Sequence, residues 1–176
     1  MGELMKKLLV SLFGLALLGV AIASHAGPPL TVSAEDQRQI LDLISASSYT
    51  YDGKDLESYL ALFTKDCVLE IFPTGATKPT VRAANRNELS AVAAQRFAML
   101  RDKDIQSRHY QTNTLLTLRA DGQVAGTTML NLMWQVPGER PYTVTTGIYR
   151  DLFVKTEGGW KLAKRTLLMD QGELGK

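Results

Sequence analysis

Two hydrophobic patterns follow one another along this chain, and their order is the feature that most constrains its fold. In the first part, apolar residues recur at helical spacing, over Ile40, Ile44 and Tyr51 and again from Leu89 to Leu100. From Ser107 onward the pattern is that of strands separated by tight turns. Helices followed by an antiparallel meander are typical of an α+β protein and differ from the alternating strands and helices of a parallel sheet.

Capping and turn residues locate the predicted elements more closely. Ser33 predicts the start of the first helix, and Asp55 predicts the start of a shorter second helix. Residues 67–72 are predicted as a strand that Pro73 ends, and residues 73–84 as a loop before the third helix. Four strands should follow, over residues 107–118, 124–136, 142–155 and 160–169.

These elements predict a cone-shaped α+β barrel, with three N-terminal helices packed on a curved, mainly antiparallel sheet. Such an arrangement can enclose an apolar pocket with a few polar groups that point inward. Large apolar and aromatic side chains that line the pocket would contact a substrate, although ordinary core packing is the alternative for each. The candidates are Phe72, Phe97, Met99, Trp134, Tyr149 and Met169.

The first 26 residues have the pattern of a secretory signal peptide. Two lysines precede an apolar run from Leu8 to Ala23, and small residues then lead into Gly-Pro-Pro. The run is shorter than the roughly 20 apolar residues that span a membrane. We therefore expect cleavage after Ala26, a periplasmic or secreted protein, and one domain over residues 27–176 without a membrane segment.

Composition argues against several classes of partner and site. Lys and Arg number 20 and Asp and Glu number 18, so the charges give no electrostatic basis for binding nucleic acid. Cys67 is the one cysteine, and no internal disulfide can form. One cysteine and one histidine, far apart in the expected mature chain, argue against a transition-metal site. No cofactor is predicted.

The scarcity of histidine directs the search for a catalytic group to His109. The other histidine, His25, lies in the predicted signal peptide. His109 stands in the run "RHYQTN" at the start of the meander, where it could act as a general base. The alternative is a histidine that only packs in the sheet and forms hydrogen bonds.

Strand alternation predicts which neighbours of His109 share its face. If His109 points into the pocket, so do Gln111 and Asn113, whereas Arg108 and Tyr110 point away. Asn113 would then be placed to donate a hydrogen bond to a substrate carbonyl.

Three stretches resemble the SnoaL-like branch of the nuclear transport factor 2-like superfamily. They cover residues 51–71, 108–113 and 146–165, and together they extend over most of the expected mature chain. The first resembles the Tyr-Asp-x-Lys-Asp helix end of scytalone dehydratase. The second resembles the His-Tyr-x-Thr-Asn strand of hexachlorocyclohexane dehydrochlorinase. The resemblance implies the same cone-shaped fold.

The resemblance also implies site residues and a chemistry. In those two enzymes an aspartate at the end of the first helix meets a histidine on the first meander strand, and the matching positions here are Asp52 and His109. Such a pair abstracts a proton from carbon while a leaving group departs from the neighbouring carbon. Tyr51 matches a tyrosine that polarises the substrate carbonyl. The implied function is that of a lyase or isomerase acting on a small, mostly apolar molecule.

Two positions depart from the dehydratase pattern. Its second histidine falls on Trp134, which cannot accept a proton, and its strand asparagine falls on Tyr149. The dehydratase machinery is therefore incomplete. A non-catalytic ligand-binding or assembly protein on the same fold is the alternative hypothesis.

The remaining expectations concern the surface of the domain. We expect Asp151 and Asp170 to be surface charges, and Arg165 to be solvated unless it faces inward and binds an anion. The resemblance implies a homodimer formed through the sheet. Apolar residues on both faces of the strand around Met129 and Leu130 are consistent with such pairing.

Overall fold

The structure, a computed structural model, describes residues 31–170. The predicted signal peptide therefore lies outside the described residues, as do residues 27–30 and 171–176. No helix in the described part of the chain is long and apolar enough to cross a membrane. The elements are α1 (Ala34–Asp52), α2 (Leu56–Ala61), β1 (Phe63–Phe72), β2 (Val81–Ala83), α3 (Arg86–Asp102), β3 (Gln106–Leu118), β4 (Val124–Gln135), β5 (Tyr142–Thr156) and β6 (Gly159–Met169).

Each helix begins at a side-chain cap. The Oγ of Ser33 accepts a hydrogen bond from the Asp36 N–H at 3.1 Å, and Asp55 accepts one from the Ser58 N–H at 3.1 Å. Asn85 caps α3 in the same way. Each contact satisfies an N–H group that has no partner within its helix. The first two caps are those predicted from the sequence.

The six strands form one sheet in the order β2-β1-β6-β5-β4-β3. All neighbours are antiparallel except β1 and β6, which are parallel. The α+β prediction, with helices on a mainly antiparallel sheet, is confirmed. The prediction of a loop over residues 73–84 was wrong in part, because Val81–Ala83 forms the edge strand β2. A strand of three residues is too short to give an alternation signal.

Irregularities in two strands reverse the direction of the side chains that follow. In β3 the register shifts between Thr112 and Leu115, and Asn113 has a positive φ of 54°. In β6 the register shifts at Ala163, so that Leu162 opposite Phe153 is followed by Lys164 opposite Leu152. One additional residue in a strand turns every later side chain to the other face of the sheet. Both irregularities affect the site described below.

Candidate active site

A cavity of about 530 Å³ lies between the sheet and helices α1 and α3. This volume is within the range of pockets that hold small organic molecules. Most of its wall is apolar, contributed by residues such as Leu89, Leu130, Leu132 and Leu167. Polar side chains reach it from α1, from α3 and from three strands, and these groups give the cavity its chemistry.

Asp52 and His109 form a close pair at one side of the cavity. Asp52 is the last residue of α1, and its Oδ1 lies 2.6 Å from Nδ1 of His109 in β3. Its Oδ2 accepts a hydrogen bond from the backbone N–H of His109 at 2.8 Å. Ser107, fully buried, donates from Oγ to Oδ1 at 2.8 Å. Helix α1 and strand β3 are thus joined at the proposed base.

The ionisation of Asp52 determines the tautomer of His109. Burial raises the pKa of the Asp52 carboxyl, but its contacts with His109 and Ser107 outweigh burial, and the pKa is lowered. An ionised carboxylate can only accept hydrogen bonds, so Nδ1 of His109 carries the proton. His109 also lines the cavity. Nε2 is therefore the nitrogen with a free lone pair.

Tyr51 connects the pair to the aromatic core. Its ring lies edge-on to His109, with centroids 4.9 Å apart, and edge-on to Phe97 at 4.8 Å. Burial raises the pKa of the Tyr51 hydroxyl, while the charge of Arg96 opposes that increase. The hydroxyl is thus neutral at ordinary pH and can donate a hydrogen bond in the cavity, which Tyr51 lines.

The other predicted pocket residues divide into two groups. Trp134 and Tyr149 line the cavity, as do Met99 and Met169. Phe97 does not line it, being 1% exposed and packed behind Tyr51 in the core. For Phe97 the structure therefore supports the alternative of core packing rather than substrate contact.

Two further predicted contacts are corrected by the strand geometry. Asn113 is exposed and directs its amide to the sulfur of Met129, because the irregularity in β3 takes it out of alternation with His109. Phe72 pairs with Leu168, one residue beyond the inward pair Ile71 and Leu167. Since successive strand residues alternate between faces, Phe72 lies on the outer face of the sheet.

The structure also corrects the expectation that Arg165 and Asp151 are solvated. The two residues lie opposite each other on β6 and β5 and are 3% and 5% exposed. Nε and Nη2 of Arg165 donate to the two Asp151 oxygens at 2.9 and 2.8 Å. Burial is the largest influence on the pKa of the guanidinium and lowers it, but the charge of Asp151, the hydrogen bonds to it and the nearby tyrosines together outweigh burial and raise the pKa. The pair is ionised within the fold. Asp170, in contrast, is exposed as expected.

Arg165 connects this ion pair to the residues around His109. Its Nη1 donates to Ser47 Oγ at 3.1 Å, and its Nη2 donates to Gln111 Oε1 at 3.2 Å. The Gln111 amide in turn donates to Ser47 and Ser48 of α1. Gln111 points inward with His109, as alternation requires. The network fixes α1 against β3, β5 and β6, and so supports the position of Asp52 at the end of α1.

Sequence reasoning missed Ser107 and the ion pair, although part of the signal was available. Ser107 is two residues before His109 and so shares its face. Asp151 is likewise two residues after the inward Tyr149. Arg165 could not be found in this way, because alternation from Trp160 and Leu162 turns it outward unless the irregularity at Ala163 is known. Among residues 31–170, no cluster of three or more metal-ligating side chains occurs.

A family model described as a SnoaL-like domain matches residues 32–166. No curated protein matches the chain. Solved structures with the same fold include ActVI-ORFA from Streptomyces coelicolor, with a TM-score of 0.66 and 22% identity over 76% of this chain and 96% of that chain. Aln2 from another Streptomyces species has a TM-score of 0.68 and 18% identity over 80% and 95% of the two chains.

A third similar structure is a protein from Novosphingobium aromaticivorans that is provisionally assigned as a scytalone dehydratase. It has a TM-score of 0.66 and 20% identity, over 81% of this chain and 89% of that chain. Further structures are described as having a cystatin-like fold, one of them as an NTF2-like protein. At such identities the similarity establishes a shared fold and leaves the chemistry to be argued from the site.

Proposed function

This chain belongs to the SnoaL-like domain family, and we propose that it is a lyase or isomerase that removes a proton from a carbon atom of a small, mostly apolar molecule. The observation that carries the proposal is the 2.6 Å contact between Asp52 and His109 at the wall of a mostly apolar cavity. A histidine oriented by an ionised carboxylate is a general base whose free nitrogen remains available for the substrate.

The reaction begins when Nε2 of His109 takes a proton from a carbon next to a carbonyl or similar group. The electron pair of the broken C–H bond moves to that group as an enolate, and the imidazolium that forms is stabilised by Asp52. Tyr51 donates a hydrogen bond to the oxygen on which negative charge develops. In an isomerase the imidazolium returns the proton to another carbon. In a lyase the electron pair expels a leaving group from the neighbouring carbon.

Trp134 and Tyr149 supply no second base of the dehydratase kind. Burial raises the pKa of the Tyr149 hydroxyl, which stays protonated and serves as a neutral donor in the cavity. The proton that a departing group needs therefore comes from His109 itself. This arrangement favours isomerisation, or elimination of a group that leaves as an anion, over the two-histidine dehydration.

A proton-exchange assay tests this role without knowledge of the natural substrate. The protein is incubated in D₂O with the bicyclic ketone 2-tetralone, and loss of the α-proton signal is followed by NMR. The wild type should exchange this proton faster than buffer, and His109→Gln should remove roughly 10²- to 10⁴-fold of the acceleration. Asp52→Asn should retain part of it, because the base remains but its orientation does not.

The matched control is Arg108→Gln, one residue from His109 and exposed. It should exchange at the wild-type rate. If the wild type binds 2-tetralone but exchanges it no faster than His109→Gln, the chain is a binding protein on the same fold and the enzymatic proposal fails.

We also propose that the outer face of the sheet pairs two copies of the chain. Tyr110 and Met129 on this face are 53% and 52% exposed. On the same face Asn131 lies opposite Tyr110, two residues along β4 from Met129, and its buried side-chain oxygen has no hydrogen-bond partner among the described residues. Export of the chain is a separate proposal, supported by the signal-peptide pattern of residues 1–26. The intact mass of the mature protein tests it, because cleavage after Ala26 removes the mass of those residues.

A further inference from the structure

Two arginines line the cavity, and among the described residues an ion pair balances the charge of only one of them. Arg165 donates two hydrogen bonds to Asp151, and its remaining contacts go to Ser47 and Gln111. Such a bidentate pair is neutral as a unit, so it has little remaining attraction for a charged ligand. Arg165 therefore serves the fold and not the recognition of an anion.

Arg96 of α3 differs from Arg165 in this respect. It is half-buried, and within residues 31–170 it forms no ion pair. Its guanidinium carbon lies 5.6 Å from the ring centroid of Trp134. A cation–π contact of this kind occupies the face of the guanidinium and leaves its in-plane N–H groups available to acceptors. The side chain is thus oriented at the cavity without a carboxylate of its own.

Asp52, the buried carboxylate of α1, is not a partner for Arg96. Both of its oxygens are occupied by donors, which are the Ser107 hydroxyl and the ring and backbone N–H groups of His109. Tyr51 lies next to both His109 and Arg96. Its ring contacts the His109 ring, and the charge of Arg96 acts to lower the pKa of its hydroxyl. A partly desolvated cation without a counter-ion is costly, and a ligand that brings the counter-ion offsets that cost.

We propose that Arg96 forms a subsite for a carboxylate, and that the natural ligand is a mostly apolar ring compound with one carboxylate group. The planar guanidinium matches a carboxylate in a bidentate manner, which a point charge does not. The Tyr51 ring separates the subsite from His109, so the carboxylate is held one aromatic ring from the base. This inference rests on the proposed function, since it names the substrate class of the same cavity.

Calorimetric binding of two probes of equal shape tests the subsite. The probes are 2-naphthoate and its neutral amide, 2-naphthamide, titrated into the full mature chain at low salt. The wild type should bind the carboxylate roughly 10- to 100-fold more tightly than the amide, as expected for hydrogen bonds to a charged group. Arg96→Gln should reduce this ratio to near one. Raising the salt concentration should reduce it only in part, because the subsite is half-buried.

Matched variants separate the subsite from a general effect of charge or folding. Arg150→Gln removes an exposed arginine from β5 and should keep the wild-type ratio. Arg96→Lys keeps the charge but loses the planar fork, and should give an intermediate ratio. If Arg96→Gln does not fold, Arg96→Lys still tests whether the preference depends on this side chain. The inference is overturned if the wild type binds neither probe, if it binds both equally, or if the preference survives in Arg96→Gln.

One further variant separates failure of this inference from failure of the proposed function. His109→Gln should lose proton exchange yet keep the preference for 2-naphthoate, because Arg96 is unchanged. A preference that depends on Arg96, together with exchange that does not depend on His109, contradicts the enzymatic role alone. Exchange that depends on His109, together with a preference that does not depend on Arg96, contradicts the carboxylate subsite alone.

Discussion

Asp52 holds His109 at two points, since one carboxylate oxygen accepts the backbone N–H at 2.8 Å while the other lies 2.6 Å from Nδ1 of the ring. The backbone contact fixes the strand against the end of α1, and the ring contact fixes the orientation of the imidazole. Removing the charge of Asp52 should therefore change the tautomer of His109 more readily than it disrupts the fold. That separation can be measured.

The tautomer of His109 should depend on the charge of Asp52. In the wild type, ¹⁵N NMR at a pH where the ring is neutral should show a protonated Nδ1 and an unprotonated Nε2. An amide at position 52 can donate to Nδ1, so Asp52→Asn should shift the population toward the tautomer with Nε2–H. The mature chain is expected to contain only this histidine, and the assignment is then unambiguous. An unchanged spectrum in Asp52→Asn would show that the carboxylate does not set the tautomer.

Breaking the buried ion pair should cost more stability than removing a surface charge. Arg165→Met leaves Asp151 buried without its partner, and urea unfolding should give a loss of about 3–5 kcal/mol. The double variant Arg165→Met with Asp151→Leu should recover part of that loss, because no uncompensated charge remains. Arg150→Met, in an exposed position of the same strand pair, should stay within about 0.5 kcal/mol of the wild type. A double variant less stable than Arg165→Met would contradict this account.

The ionised carboxylate of Asp36 should stabilise the fold at neutral pH and lose this effect in acid. Hydrogen bonds from Lys155, Trp160 and Ser33 lower the pKa of its carboxyl from 3.8 to about 2. A carboxyl with a lowered pKa stabilises the fold above its usual pKa, and the contribution disappears as the pH falls toward the lowered value. Asp36→Asn should therefore be less stable than the wild type at pH 7, and the difference should narrow between about pH 4 and pH 2.

The exposed Asp66 provides the control for that comparison, which is made by urea unfolding at several pH values. Asp66→Asn should follow the wild type over the whole pH range. A difference between Asp36→Asn and the wild type that does not change with pH would show that the lost contacts, and not the ionisation, account for the effect.

A charge on the outer face of the sheet should disrupt pairing of two copies. Met129→Glu introduces a carboxylate on this face, beside Ile148. Light scattering at micromolar concentration should give a dimer for the wild type and a monomer for the variant. Tyr49→Glu changes an 80% exposed residue of α1 and should remain dimeric. A wild type that is already monomeric contradicts the proposed dimer.

Hydrophobic periodicity was sufficient for the helices and for the long strands. The α+β class, the single sheet and its antiparallel meander follow from patterns that extend over many residues. The edge strand Val81–Ala83 was missed because three residues carry no such pattern. The pairing of Asp52 with His109 was implied by a family resemblance, since nothing in the spacing of two residues 57 positions apart requires their contact.

Two of the errors in the predicted site, at Asn113 and Arg165, have one physical origin. Alternation is reliable only while the strand is regular, and irregularities in β3 and β6 interrupt it at these positions. The one at Asn113 removed a predicted contact from the cavity, and the one at Ala163 brought Arg165 into the interior. Each depends on how the strand pairs with its neighbour, which the residues of one strand do not determine. Asp151 was predictable, because β5 stays regular between it and Tyr149.

The parallel pairing of β1 with β6 has a consequence for the order of folding. It joins the first strand in the chain to the last. Just after β1, the Thr74 hydroxyl donates a hydrogen bond to the Met169 carbonyl oxygen at the end of β6, across 95 residues of sequence. Closing a loop of that length has an entropic cost that must be met before the contacts form. The cavity is lined from both strands, so it does not exist until the last strand is in place. A ligand therefore binds only the completed fold and stabilises the whole domain when it does.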